Sequence, residues 1–218
     1  MSARENILAR IRARQAKGHA KDLAAQEAVR AHIAAHPHNA RPAVSWDPVA
    51  RFRSEALKLA STVDEVESMA AVPACIAAYL DAQKLPREAV CWDALASLDW
   101  RGAGIEIAKR PARGSDLTGI TGSFCAIAET GTLMMLSGPQ TPPAASLLPE
   151  THVAVVERKR VVPGMEEAWQ LMRAEFGQPP RAVNFISGPS RTADIEQTVT
   201  LGAHGPYRVH IILVGDAA

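Results

Sequence analysis

The chain has 218 residues, 47% of them hydrophobic and 22% charged, a balance that suits one globular domain with an extension and excludes wholesale disorder. A formal net charge of +1 gives no general attraction for nucleic acid or anionic lipid, and no apolar stretch is long enough to span a bilayer. The first fourteen residues lack the apolar core of a secretory signal, so the expected location is the cytoplasm.

In chain order, Ser2 and Glu5 form a capping-box pattern that opens a stretch rich in Ala, Arg, Lys and Gln, predicting a helical arm closed by Pro37 and Pro42. Residues 1–60 carry 11 Lys or Arg against 5 acids, whereas 61–218 carry 13 against 18. The arm is therefore basic, but it lacks the interleaved aromatics of a single-strand binder and any groove-reading motif, so contact with protein is expected rather than with nucleic acid. Its apolar positions Ile7, Leu8, Ile11, Leu23 and Ile33 are too sparse for a core stripe and could rest on a partner. The reading is a basic helical extension over 1–45 and an α/β domain over 46–218.

Asp47 before Pro48 marks a helix start, with Val49, Phe52, Ala56 and Leu59 on one face. After a short strand near Thr62, the spacing of Val72, Cys75, Ile76, Tyr79 and Leu80 predicts a core-facing helix. Ala89–Trp92 and Ile105–Ile107 read as strands. Phe124–Ala128 and Thr132–Leu136 flank Glu129-Thr130-Gly131, the pattern of a hairpin whose glycine takes positive φ. Val153–Val156 is a strand, followed by a helical stripe of Met165, Ala168, Trp169, Met172 and Phe176 that stops at Gly177 and Pro179. Val183–Ile186 and Val209–Val214 are nearly continuous apolar strands, as in a parallel sheet covered on both faces. The alternation predicts a three-layer α/β fold with a mostly parallel sheet.

Three polar, glycine-containing segments adjoin these strands: 128–132, 187–196 and 202–206. Because ligands of open α/β sheets collect outside the carboxyl ends of strands, the loop after Ile186 is the leading site candidate. Ser187, Ser190 and Thr192 could bind an oxyanion, and Arg191 could grip a carboxylate or phosphate bidentately or bridge to Asp194 or Glu196. Glu129 could serve a substrate hydroxyl or proton transfer, or accept backbone N–H groups in its own hairpin. His204 between glycines could present its imidazole or play a structural part. The cysteines Cys75, Cys91 and Cys125 have no cluster or zinc spacing and read as packed thiols. No metal is assigned, since the nearest grouping, His204 with Asp194, Glu196 or Glu129, has no short ligand spacing. Walker, GxGxxG, HExxH and GxSxG motifs are absent from the sequence.

The segments TGITGSFCAIAETGTLMML (118–136), SLLPETHVAVV (146–156) and ISGPSRTADIEQTVTLGAHGPYRVHIILV (186–214) together resemble the lactate-utilization, or LUD domain, family, most nearly its small C component. The resemblance implies a fold similar to phosphosugar isomerases and CoA transferases. It implies a part in oxidation of L-lactate to pyruvate beside components A and B, which carry the iron–sulfur clusters, and no redox cofactor in this chain. It places Glu129, Thr130, Gly131, Thr132, Ser187, Gly188, Ser190, Arg191, Thr192, Asp194, His204 and Gly205 in the signature loops. The stretch 141–145 departs from the polar, often Arg-containing approach expected before SLLPE. An independent small-molecule enzyme and a carboxylate- or phosphate-binding regulatory module remain as alternatives.

Overall fold

The structure is a computed structural model that describes residues 2–16, 23–37, 45–193 and 197–215. The chain separates into two units, Met1–Val44 and Ser45–Ala218. The first holds helices α1 (Ala3–Ala16) and α2 (Leu23–Ala35). The capping box forms as spaced: Ser2 N donates to Glu5 Oε2 at 2.6 Å and Glu5 N to Ser2 Oγ at 3.3 Å. Ile7, Ile11 and Ile33 are exposed, while Pro42 and the side chain of Leu23 lie outside the described residues. No helix among the described residues is long and apolar enough to cross a membrane.

The second unit is built on six parallel strands: β1 (Thr62–Val66), β2 (Glu88–Cys91), β3 (Glu106–Ala108), β4 (Thr118–Gly122), β7 (Thr151–Glu157) and β12 (Arg208–Val214), in the order β1-β12-β7-β4-β2-β3. β5 (Cys125–Ile127), β6 (Thr132–Leu136), β8 (Val161–Val162) and β9 (Val183–Ile186) form a second sheet in the order β8-β5-β6-β9. β10 (Arg191–Thr192) and β11 (Thr200–Leu201) pair with each other as a small ladder. The expected α/β architecture with a mostly parallel sheet is present, and the small sheet adds to it.

Helix α3 (Pro48–Lys58) starts where the sequence placed it, with Asp47 Oδ1 accepting from Ala50 N at 2.7 Å and Pro48 in the first turn. Phe52 and Ala56 pack with Val209, Ile211 and Leu213 of β12 and with Ala128, Leu133 and Ile186 of the small sheet, so α3 and the small sheet together cover one face of the parallel sheet. Helix α4 (Val72–Ala82) covers the other face with Val72, Ile76 and Leu80 against Val153, Val155 and Ile212. Helix α6 (Met165–Phe176) buries Ala168 and Met172 on the far side of the small sheet, against Cys125, Ile127 and Met134.

Two elements differ from expectation. Val183–Ile186 runs antiparallel to β6 instead of joining the parallel sheet; its four residues have one outer face, where Phe185 is exposed. The central strand β4 was not signalled, because its TGITG sequence has no apolar run. Gly119 is required there: a Cβ would stand 1.9 Å from the carbonyl oxygen of Ala145 in the short helix α5 (Ala144–Leu147), which lies directly on the strand.

Candidate functional site

The hairpin turn forms as its glycine predicted. Ile127 pairs with Thr132, and Gly131 closes the turn at φ +65. A Cβ on Gly131 would meet the backbone N of Ala56 at 2.4 Å, and one on Gly188, at φ +79, would meet the carbonyl oxygen of Leu59 at 2.3 Å. Both glycines thus clasp the last turn of α3, beside the amino end of β1. Between them Thr130 Oγ1 donates to Thr132 Oγ1 at 2.8 Å, and Thr132 Oγ1 shares a 2.7 Å hydrogen bond with Ser187 Oγ. Arg191 Nη2 donates to the carbonyl of Leu59 at 3.2 Å, which places the guanidinium at the carbonyl end of α3, where the helix dipole favours a cation. Ser190 N donates to Pro206 O and Gly202 N to Ser190 O, while Gly205 packs against the Ser190 side chain.

The structure therefore brings Thr130, Gly131, Thr132, Ser187, Gly188 and Arg191 together around the end of α3, and joins Ser190 to the 202–206 segment beside them. Glu129 N donates to Pro163 O, which ties its backbone to the loop before α6. Thr192 and His204 both have interaction partners. Asp194 and Glu196 lie outside the described residues. The cluster stands at the amino end of the parallel sheet, because β9 carries the chain back from the carboxyl end, where Ser137 N donates to Ala182 O, to Ser187 beside α3. Ligands collect at the carboxyl ends of strands in the parallel sheet, and β9, which leads into the loop after Ile186, is not one of those strands.

At the opposite end, the chain order reverses between β2 and β4, whose carboxyl ends diverge into a cleft of about 680 Å³, within the usual range of small-molecule sites. Trp92, Gly122, Ser123, Phe124, Leu136, Ser137, Gly138, Thr141 and Phe176 line it. Trp92 Nε1 donates to Pro142 O at 3.1 Å, which fixes one aromatic wall. Phe176, expected in the core stripe of α6, is 61% exposed and packs edge-on against Phe124, with centroids 5.8 Å apart. Arg160 stacks over Phe124 at 4.6 Å and donates to the Phe124 carbonyl and to Glu175. The cleft suits a ligand with an apolar or planar face and few hydrogen-bonding groups. Its signal in the sequence was the aromatic residue Trp92 at the end of an apolar strand, whereas nothing before Phe124 marked the other wall.

His152, the second residue of β7, is fully buried near the amino end of the parallel sheet, with Nε2 at 2.8 Å from Thr121 Oγ1 and Nδ1 unpartnered. Burial pushes its pKa down to about 4. The thiols of Cys91 and Cys125 are buried and pushed up to about 12 by desolvation, which makes them packing groups.

The fold and these loops define an α/β protein with a doubly covered parallel sheet and a cleft at its point of strand reversal. The LUD domain family model matches residues 52–214, and the chain belongs to that family. It is similar to a protein named lactate utilization protein C from Bacillus subtilis (strain 168), 39% identical over 101 residues, 45% of this chain and 42% of the relative. A lactate utilization protein C from Anoxybacillus flavithermus is 36% identical over 133 residues, 61% of this chain and 56% of that relative. The chain spans about half the length of the curated relatives it matches. The crystal structure of a DUF162 family protein from Deinococcus radiodurans superposes with a TM-score of 0.60 at 24% identity, covering 80% of this chain and all of that one, a likeness of fold.

Proposed function

We propose that this chain acts in lactate utilization as a component without a redox centre of its own, in an L-lactate-oxidising assembly whose iron–sulfur clusters reside in partner subunits resembling components A and B. The observation that carries the reading is the LUD family match over 52–214, together with relatives named lactate utilization protein C. Two of the three cysteines are buried singly in apolar packing, which favours clusters held elsewhere. The loop cluster at the end of α3 would hold a carboxylate, with the Arg191 guanidinium as its cation and hydroxyls of Thr132, Ser187 and Ser190 as neighbours. Affinity purification from lactate-grown cells should recover both iron–sulfur subunits. Recovery of neither, even after gentle crosslinking, refutes the assembly.

A second reading, a small-molecule enzyme or binding module that works alone, is favoured by the cleft between β2 and β4. Isolated protein that turns over or saturably binds a small acid without partner subunits supports it. Binding abolished by filling the cleft, with the α3 loop cluster intact, assigns that ligand to the cleft.

A further inference from the structure

Away from both ends, the edge of the parallel sheet gathers three ligating side chains. His210 on β12 is 1% exposed. Its Nδ1 is 2.8 Å from Thr62 Oγ1, and its ring stacks on Tyr79 with centroids 3.8 Å apart and planes 8° from parallel. These contacts fix the position and plane of the imidazole, yet they leave Nε2 buried without a hydrogen-bond partner, a condition that costs about 1–3 kcal/mol when nothing compensates it. Nε2 faces Asp64 Oδ2 at 3.6 Å, and Cys75 Sγ stands 3.7 Å from the same oxygen. The three ligand atoms lie within 4.8 Å of one another.

We propose that Asp64, Cys75 and His210 bind a thiophilic divalent cation, zinc by preference, through one carboxylate oxygen, Sγ and Nε2. Typical zinc bonds to nitrogen, oxygen and sulfur at tetrahedral angles put nitrogen and oxygen ligands about 3.4 Å apart, and sulfur and oxygen about 3.6 Å apart. The separations of 3.6 and 3.7 Å are close to those edges. With Nδ1–H donating to Thr62 Oγ1, the lone pair of Nε2 is free to ligate, and the hydroxyl orients the ring as an outer-shell partner. On binding, the Cys75 thiol gives up its proton to solvent, so one thiolate and one carboxylate balance the dication. Mixed sulfur, nitrogen and oxygen donors suit zinc or cobalt and disfavour magnesium and calcium. Solvent reaches the fourth position past Asp64, whose side chain is 55% exposed.

A nucleophilic arrangement of the same residue types would set the thiol against one imidazole nitrogen and the carboxylate on the other. Here Nδ1 belongs to Thr62, the carboxylate faces Nε2 and the thiol stands against that carboxylate, so the three donors gather within 4.8 Å of one another. Tertiary structure alone assembles them. Thr62 pairs with His210 across β1 and β12, Asp64 projects from the same face two residues on, and Cys75 and Tyr79 lie one turn apart on α4 above it.

Titrating metal-free full-length protein with cobalt(II) tests the site. One equivalent should produce a thiolate-to-cobalt charge-transfer band and tetrahedral d–d bands that zinc then bleaches. Cys75→Ser should fold with an unchanged metal-free thermal transition and lose the charge-transfer band, and Asp64→Asn should weaken cobalt binding at least tenfold. No charge-transfer band at one equivalent, or an undiminished one in Cys75→Ser, overturns the proposal. Should Cys75→Ser fail to fold, maleimide labelling of the parent decides: zinc protects Cys75 if it ligates, and equal labelling with and without zinc overturns the site.

Discussion

The two ends of the parallel sheet use glycine for opposite purposes. At the amino end, Gly131 and Gly188 have no room for a side chain, because the backbone of α3 occupies the space a Cβ would take. At the carboxyl end, Gly122 faces open volume, with the nearest atom to an added Cβ a ring carbon of Trp92 at 4.0 Å. A glycine-rich polar loop therefore marks close helix packing in one place and a ligand-sized cleft in the other. Glycine in a sequence reports that something approaches closely or that something must fit, and only the neighbouring elements decide which.

The largest expected effect concerns the core beneath the amino end. His152 is held neutral at a pKa of about 4, against 6.5 in an unfolded chain. Its contribution is complete above pH 6.5 and is lost as pH falls toward 4, because the unfolded chain takes up the proton first, a difference on the order of 3 kcal/mol. Urea midpoints should fall between pH 7 and 4.5, and His152→Gln should reduce that slope without abolishing it, because burial also pushes His210 down to about 4. A parent midpoint constant across the range would mean that burial does not hold the His152 imidazole neutral.

Gly131→Ala and Gly188→Ala should each cost about 2 kcal/mol, from positive φ and from collision with α3. Thermal denaturation would measure this, and an unchanged transition would break the contrast at its amino end. Arg191→Ala should remove about 1 kcal/mol with the hydrogen bond to Leu59. On the carboxylate reading, Arg191→Lys, which keeps charge but loses the planar fork, should weaken L-lactate binding severalfold in calorimetric titration. Binding equal to the parent in both folded variants would leave Arg191 as a helix-end contact only. The smallest stability change, within about 0.5 kcal/mol, is expected of Gly122→Val, since a β-branched residue suits a strand and meets open space. The same variant should reduce binding of an apolar fluorescent dye to the cleft, and undiminished dye binding would separate dye and cleft.

Much of the framework was legible along the chain. The caps at Ser2 and Asp47, the hairpin turn at Gly131, the apolar spacing of α4 and the runs of β7 and β12 are set by neighbours within a few residues, so local chemistry suffices to read them. The segments that carry the family likeness were legible because each is a contiguous run of sequence. Tertiary structure alone decided what depends on residues distant in sequence. β4 takes a central place between β7 and β2 with α5 resting on its Gly119, β9 leaves the parallel sheet to pair with β6, and Phe176 turns from the core to the wall of a cleft. The meeting of Asp64, Cys75 and His210 depends on the register of β1 against β12 and on the placing of α4 above them. Periodicity specifies which face of an element is buried, whereas strand order and the approach of one backbone to another are settled only when those faces compete for the same neighbours.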